Sequence, residues 1–426
     1  MFWVGIILCT ILFSAGMPIY IAFSIGGLII LLYCIGFPLS QMGTLFFDSL
    51  NSFILLSGPL FVLAGNLMVR SGVSGPLVKL LGGFVARVPG GLAVGSIVAC
   101  TFMGSLTGTV SATLASVGLI MFPAMVAAGY SRGYSAGVLC SASPLGVLIP
   151  PSIVAIVFGY LTDASIGKLF IAGILPGLLM AGLLCLTAVF IAKRKAFPLG
   201  QLVGWSELYS LIIKALPALF LPVLILGGIY GGIFTPTEAA AVACVYTFVV
   251  GLFIKGRGMW EISRVSLTET VRVTSLIYLL LVGGALLGKG FILVGIPQRI
   301  ASSVLDLQLG QFGFLSVLVI VVMALSIIMD DLTIMFVVVP LIIPTVKTLN
   351  INIIHLGVIF IITTMIGVIS PPVATHLYFS ASLLDVPIGE LLWSVIPFLL
   401  TMVICLFIVV FFPEISVWLP GMMKGG

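Results

Sequence analysis

Charge is what this sequence has least of. Lys and Arg number 17 and Asp and Glu 12 in 426 residues, so only 7% of the chain is charged, against about 25% in soluble domains. With 61% of its residues hydrophobic, the chain cannot keep its surface in water and is read as a polytopic membrane protein in a lipid bilayer. The net charge of +5 comes from basic residues scattered singly between apolar runs, which excludes a nucleic-acid-binding face. There are two histidines, His355 and His376, and no Cys-x-x-Cys pair among Cys9, Cys34, Cys100, Cys140, Cys185, Cys244 and Cys405. The thiols are therefore read as buried and free. No basic residue precedes Arg70, so a cleaved signal peptide is not indicated and the first helix is expected to stay.

Long apolar runs are what is there. They cover 2–15, 18–36, 51–69, 92–124, 134–162, 168–192, 208–230, 236–254, 272–294, 312–346, 353–384 and 390–413. Continuous rather than alternating runs exclude a β-barrel. A helical span takes roughly 20 residues, which gives about ten spans and two longer, interrupted regions. The first run is short and is read as continuing through Met17-Pro18 as one kinked helix. Thr235-Pro236-Thr237-Glu238 has the pattern of a helix start, with Thr235 as N-cap and Glu238 at the third position.

The chain repeats itself. Gly146-Val147-Leu148-Ile149-Pro150-Pro151 returns as Gly367-Val368-Ile369-Ser370-Pro371-Pro372, 221 residues later. The pairs Pro76 and Pro297, Pro123 and Pro344, and Pro176 and Pro397 keep that interval. Orientation follows from the basic residues, which collect on the cytoplasmic side. With Lys193-Arg194-Lys195 inside, and with 92–124 and 312–346 re-entering rather than crossing, Arg70, Lys79, Arg87, Arg132, Lys214, Lys255, Arg257, Arg264 and Arg272 also fall inside. Lys168, Lys289, Arg299, Lys347 and Lys424 fall outside, a division of 12 against 5. Both termini then lie on the periplasmic side, and the second copy is upside down relative to the first. The expected fold class is an all-α membrane protein with inverted-topology repeats over 1–200 and 201–426. Each repeat holds one re-entrant helical hairpin (92–124, 312–346) and one broken helix (134–162, 353–384), an architecture that places binding sites near mid-membrane.

Interrupted backbone points to the chemistry. Seven of the ten residues from Gly104 to Thr113 are Gly, Ser or Thr. In hydrocarbon such a loop must be enclosed by protein or face a watery cavity; the alternative is a helix-packing face of small residues. The Pro-Pro pairs should unwind their helices, freeing carbonyls that suit a small hard cation and helix N-termini that suit an anion. Asp330-Asp331 is the one acidic pair, set among apolar neighbours, and intramembrane carboxylates are functional candidates by default. His376 follows the second Pro-Pro break and could serve the site or pack a helix. His355, near the end of its run, is expected to be solvated.

These motifs resemble the large membrane subunit of tripartite ATP-independent periplasmic (TRAP) transporters. The resemblance covers nearly the whole chain and is carried by Phe61 to Met68, Pro89-Gly90-Gly91-Leu92-Ala93, Gly104 to Thr113, Leu145 to Ile153, Phe234 to Ala241, Met329-Asp330 and Gly367 to Pro372. It implies a sodium-driven symporter of organic acid anions in the bacterial inner membrane, with sodium as coupling ion and no cofactor. It also implies two partners, a periplasmic substrate-binding protein and a small four-helix membrane subunit, and an elevator mechanism in which a transport domain slides on a scaffold. By position, sodium would sit among Gly104, Ser105, Gly108, Asp330 and Asp331 with the backbone around Gly146, Gly367 and Ser370. Substrate would lie between Thr107, Thr109 and the Pro150-Pro151 and Pro371-Pro372 breaks, with His376 beside them. This chain departs from the family in having Thr107, Thr109 and Val110 at a usually serine-rich tip, a second acid at Asp331, and Ala374-Thr375-His376 in place of a Gly-Leu-Asn-like segment.

Other readings are a carrier that works without a binding protein, a channel, and an intramembrane enzyme. Gly72-Val73-Ser74-Gly75 fits the Gly-x-Ser-Gly pattern of an intramembrane serine protease. That reading needs a histidine beside Ser74.

Overall fold

The computed structural model describes residues 2–84, 88–198, 204–371 and 374–422. Its regular structure is helical, and no strand occurs among the described residues. Among the described residues each of the twelve apolar runs is mainly helical, but only seven helices are long and apolar enough to cross a membrane, or eight if one bent pair counts as a span. That is fewer than the ten expected, because several runs are built from shorter pieces of 10–17 residues.

The N-terminal pair corrects the expectation of one kinked helix. Phe2–Ser14 ends at a turn where Gly16 has φ +82°, and Pro18 opens a separate helix, Ile19–Ile29, that runs on through a π-helical turn to Ile35. The two fold back on each other, so close that a Cβ built on Gly26 would lie 3.0 Å from Cys9 Cβ. A second close approach joins Ile19–Ile29 to the long helix Met259–Val294, where a Cβ on Gly27 would lie 2.7 Å from the Leu287 nitrogen.

Met259–Val294 has 36 residues and begins well before the apolar run at 272. At about 1.5 Å per residue it exceeds the roughly 30 Å hydrocarbon core by several turns. Its charged first part is anchored to Ser57–Arg70, through an Arg70–Glu269 ion pair at 2.9 Å and a hydrogen bond from Asn66 Nδ2 to Thr270 Oγ1 at 3.4 Å. Ser57–Arg70 also packs on Pro236–Lys255, with Cys244 Sγ 2.9 Å from the Leu60 carbonyl. The helix start at Thr235 is as the sequence indicates: Glu238 N–H donates to Thr235 Oγ1 and Thr235 N–H to Glu238 Oε2, closing the capping box.

Two helical hairpins and two broken helices fill the interior. Gly91–Thr107 turns at Gly108 (φ +63°) and Thr109 and returns as Val110–Ala127; Gln311–Ser326 turns before Asp330 and returns as Asp331–Thr348. The returning legs are both 18 residues long and stand 221 residues apart. Arg132–Leu148 and Ile153–Thr162 form the first broken helix, bent by 40°. Ile353–Gly367 and Thr375–Leu384 form the second. Each break packs on the nearer hairpin without room for a side chain. A Cβ on Gly104 would fall on the Gly146 backbone, and a Cβ on Gly367 would fall on Ser326 Cβ.

His355 is buried, 3% exposed, not solvated as the sequence suggested. The C-terminal helix Glu414–Gly421 packs over that end of Ile353–Gly367. All seven cysteines are unpaired, with Cys100, Cys140 and Cys405 buried and the rest half-buried. Arg87 and Lys424, used in the orientation argument, lie outside the described residues.

The Gly104–Gly146 contact yields a test of packing. Gly104→Ala should cost about 1–3 kcal/mol, since overpacking forces backbone apart. Gly182→Ala, where an added Cβ meets nothing within 4 Å, should instead gain up to about 1 kcal/mol in its exposed helix. Thermal unfolding of both variants in detergent decides; equal melting points would contradict the contact.

Candidate functional site

The hairpin tips and the breaks converge on one cavity of about 570 Å³. Thr109, Ser111, Asp330, Asp331 and Thr333 reach it from the tips, Val147 and Ile153 from the first broken helix, and Val368, Thr375 and His376 from the second. Tyr20, Ile277 and Leu280, from the two helices joined at Gly27, close the remaining wall.

Local chemistry holds each tip in shape. In the first, Thr107 and Thr113 hydroxyls lie 2.8 Å apart, and Thr113 Oγ1 donates to the Thr109 carbonyl at 2.8 Å. In the second, Asp330 is the N-cap of Asp331–Thr348: Thr333 N–H donates to Asp330 Oδ2 at 3.3 Å and the Thr333 hydroxyl to Oδ1. The capping satisfies a helix N–H that would otherwise be orphaned in a largely apolar setting. The broken helices present the complementary feature. Pro150 and Pro151 have no N–H to offer the carbonyls of Gly146 and Val147, so those oxygens are free of their usual helical donors. Ser152 then restarts the helix by accepting from Ala155 N–H at 3.3 Å.

The residues singled out in the sequence divide into those that face the cavity and those behind it. Gly108, Thr109, Asp330, Asp331 and His376 line it. Thr107 is buried within its own tip, Ser105 donates to the Phe102 carbonyl at 2.7 Å, and Gly104 packs on Gly146. Gly367 packs on Ser326, and the Ser370 hydroxyl donates to the Ile366 carbonyl at 2.7 Å. Pro150 and Pro151 are buried and Pro371 is exposed, none of them on the cavity wall; Pro372 lies outside the described residues. Ser74 and His376 do not pair: Ser74 opens the helix Ser74–Phe84, while His376 Nε2 lies 2.7 Å from Ser143 Oγ.

Three contributors were not singled out. Thr333 follows Asp330 by three residues, a capping pattern readable from spacing alone. Ser143 precedes Pro144 and could have been suspected as a substitute donor. Tyr20 comes from the N-terminal helix pair, and nothing in its neighbourhood marks it.

The electrostatics are one-sided. Asp330 and Asp331 bring two carboxylates, and no Lys or Arg is among the residues lining the cavity. Among the described residues no group of three or more His, Cys, Asp or Glu is assembled to hold a metal ion. Polar partners for a ligand are therefore hydroxyls, carbonyls, the two carboxylates and one imidazole.

Comparison with known proteins gives one answer. The family model described as the tripartite ATP-independent periplasmic transporter, DctM component, matches residues 6–415. The chain is similar to the C4-dicarboxylate TRAP transporter large permease protein of Pseudomonas aeruginosa, 37% identical with 88% of each chain covered. It is also similar to the sialic acid TRAP transporter large permease protein of Vibrio cholerae, 29% identical over 99% of this chain and 98% of that one. In three dimensions it matches the YdaH transporter of Alcanivorax borkumensis with a TM-score of 0.62 and 14% identity, covering 89% of this chain and 88% of that one, a likeness of fold. These relatives are transporter proteins, and the chain is not an enzyme.

The Asp330 cap can be separated from the Asp330 charge. Asp330→Ala should cost about 1 kcal/mol of stability, whereas Asp330→Asn, an equally good cap, should be nearly neutral. Thermal melting in detergent measures both; a large loss in Asp330→Asn alone would mean that the charge, not the cap, holds the tip.

Proposed function

Because the chain belongs to the DctM family of tripartite ATP-independent periplasmic transporters, we propose that it is the large permease subunit that imports an organic acid anion on a sodium gradient. Its partners in this reading are a periplasmic binding protein that delivers the anion and a small membrane subunit. The setting is a bacterial inner membrane, with both termini of the chain on the periplasmic side. Relatives named for C4-dicarboxylates and sialic acid support an acid anion as cargo.

The observation that carries the coupling is the sign of the cavity. Two carboxylates and no cationic side chain face it, so an anion entering alone meets electrostatic repulsion. Cations bound first remove that penalty, and so bind cooperatively with the anion. Hard oxygen donors suit sodium, and the candidates are Asp330, Asp331, Gly108 and the backbone around Gly104, Ser105, Gly146, Gly367 and Ser370. The anion would rest against Thr109, Ser111 and Thr375 hydroxyls with His376 beside it. Thr107, Pro150, Pro151, Pro371 and Pro372 would act from behind, by shaping the tips and breaks.

Inverted repeats over 1–200 and 201–426 account for the recurrence of elements. The returning hairpin legs, the breaks and their close contacts recur at 221 or 222 residues: Gly104 on Gly146 in one half, Ser326 on Gly367 in the other. Two such units meeting at one cavity suit an elevator, in which tips and breaks move as a body against the helices around Met259–Val294.

Uptake into proteoliposomes holding the chain and its small subunit tests this reading. Organic acids should accumulate only with an inward sodium gradient and the binding protein; accumulation without the binding protein would identify an ordinary secondary carrier. Asp330→Asn should abolish sodium-coupled uptake while leaving the fold intact, and unchanged uptake would remove Asp330 from the mechanism. For topology, single cysteines at Ala128 and Lys347 should label from opposite sides of the membrane. Labelling from the same side would sink the inverted arrangement.

A further inference from the structure

We propose that His376 presents a hydrogen-bond acceptor to the cavity, so that the preferred cargo is an acid carrying a donor group, a hydroxyl or an ammonium, near its carboxylate. The inference rests on reading the cavity as the organic-acid site and narrows the class of acid.

It begins at Pro144. In a regular helix the Cys140 carbonyl would accept from the N–H four residues on, but that residue is Pro144 and has none. The carbonyl lies in the buried first broken helix, where an unmet acceptor is costly. The Ser143 hydroxyl takes the place of the missing donor, 3.1 Å from the Cys140 oxygen. A hydroxyl has one proton, and this one is committed.

The same hydroxyl lies 2.7 Å from His376 Nε2, in a pair that is fully buried. With its proton spent on Cys140, Ser143 Oγ can only accept, so Nε2 carries the imidazole hydrogen. A neutral imidazole has one N–H. Nδ1 is left with a lone pair, and it has no hydrogen-bond partner among the described residues. His376 lines the cavity beside Thr375 and Phe379.

The other strong groups there are acceptors too. Asp330 already takes both hydrogens offered by Thr333, and Asp331 adds a second carboxylate. A plain carboxylic acid anion can be met by the hydroxyls of Thr109, Ser111 and Thr375, but it leaves Nδ1 facing a ligand with nothing to donate. A hydroxyl or ammonium group next to the carboxylate pairs with Nδ1 and removes that cost. A site that expects a donor discriminates against the analogue without one, and one hydrogen bond in a desolvated site corresponds to about tenfold in affinity.

Matched acids test this. Binding of L-malate against succinate, L-lactate against propionate and L-aspartate against succinate is measured in sodium on the purified complex of this chain with its small subunit. The donor-bearing member of at least one pair should bind about tenfold tighter. That ratio should fall to within about twofold in His376→Phe and in Ser143→Ala, which removes the group that fixes the tautomer. The chain has two histidines, so imidazole ¹⁵N resonances, assigned with His355→Gln, report the tautomer independently of any ligand. Wild-type protein should show His376 protonated at Nε2 and bare at Nδ1. Equal binding within every pair, or a proton on Nδ1, would overturn the inference and leave the organic-acid site standing. Failure of all these acids to bind would remove the organic-acid reading and this inference with it.

Discussion

A backbone in lipid must satisfy its own hydrogen bonds, and the architecture follows from that constraint. Regular helices meet it along their length. The two tips and two breaks do not, and the cavity receives residues from all four. Groups released there are taken up by neighbours at hand: Thr333 by Asp330, the Thr109 carbonyl by Thr113, the Cys140 carbonyl by Ser143. The carbonyls of Gly146 and Val147, opposite Pro150 and Pro151, lose their usual helical donors.

Close packing makes the enclosure possible. Gly104 against Gly146 and Ser326 against Gly367 bring tip and break into backbone contact, and the buried polar groups nearby are shielded from hydrocarbon as a result. The same contacts hold the tips and breaks that line the cavity. A small residue at these positions is a condition of the site, not only of the fold.

Much of this was legible in the sequence because its signals are local. The 221-residue interval, the proline pairs and the glycine-rich tip lie in plain view, and the helix start at Thr235 follows from spacing alone. What escaped depends on neighbours distant in sequence. His355 reads as an exposed helix end until Glu414–Gly421 covers it. The charged residues before 272 fall outside the apolar runs, yet they belong to the helix Met259–Val294, where Glu269 and Thr270 pair with Arg70 and Asn66. Asp330 reads as an ion ligand, although the spacing to Thr333 three residues on also carries the cap it makes, a local signal. Ser143 gains its meaning from His376, 233 residues away. The separation of Phe2–Ser14 from Ile19–Ile29, by contrast, turned on Gly16 and Pro18, which allow either a kink or a reversal.

The central claim is that cargo and sodium meet in the cavity between the two hairpin tips. It is tested most directly at Ser111, which lines the cavity from the first tip and is exposed. Ser111→Cys is introduced into a chain freed of its seven native cysteines, reconstituted with its small subunit, and labelled with a membrane-impermeant maleimide. Labelling slowed by sodium together with a transported acid, and not by potassium with the same acid, is the expected result. A labelling rate indifferent to both would contradict the assignment of this cavity as the site of transport.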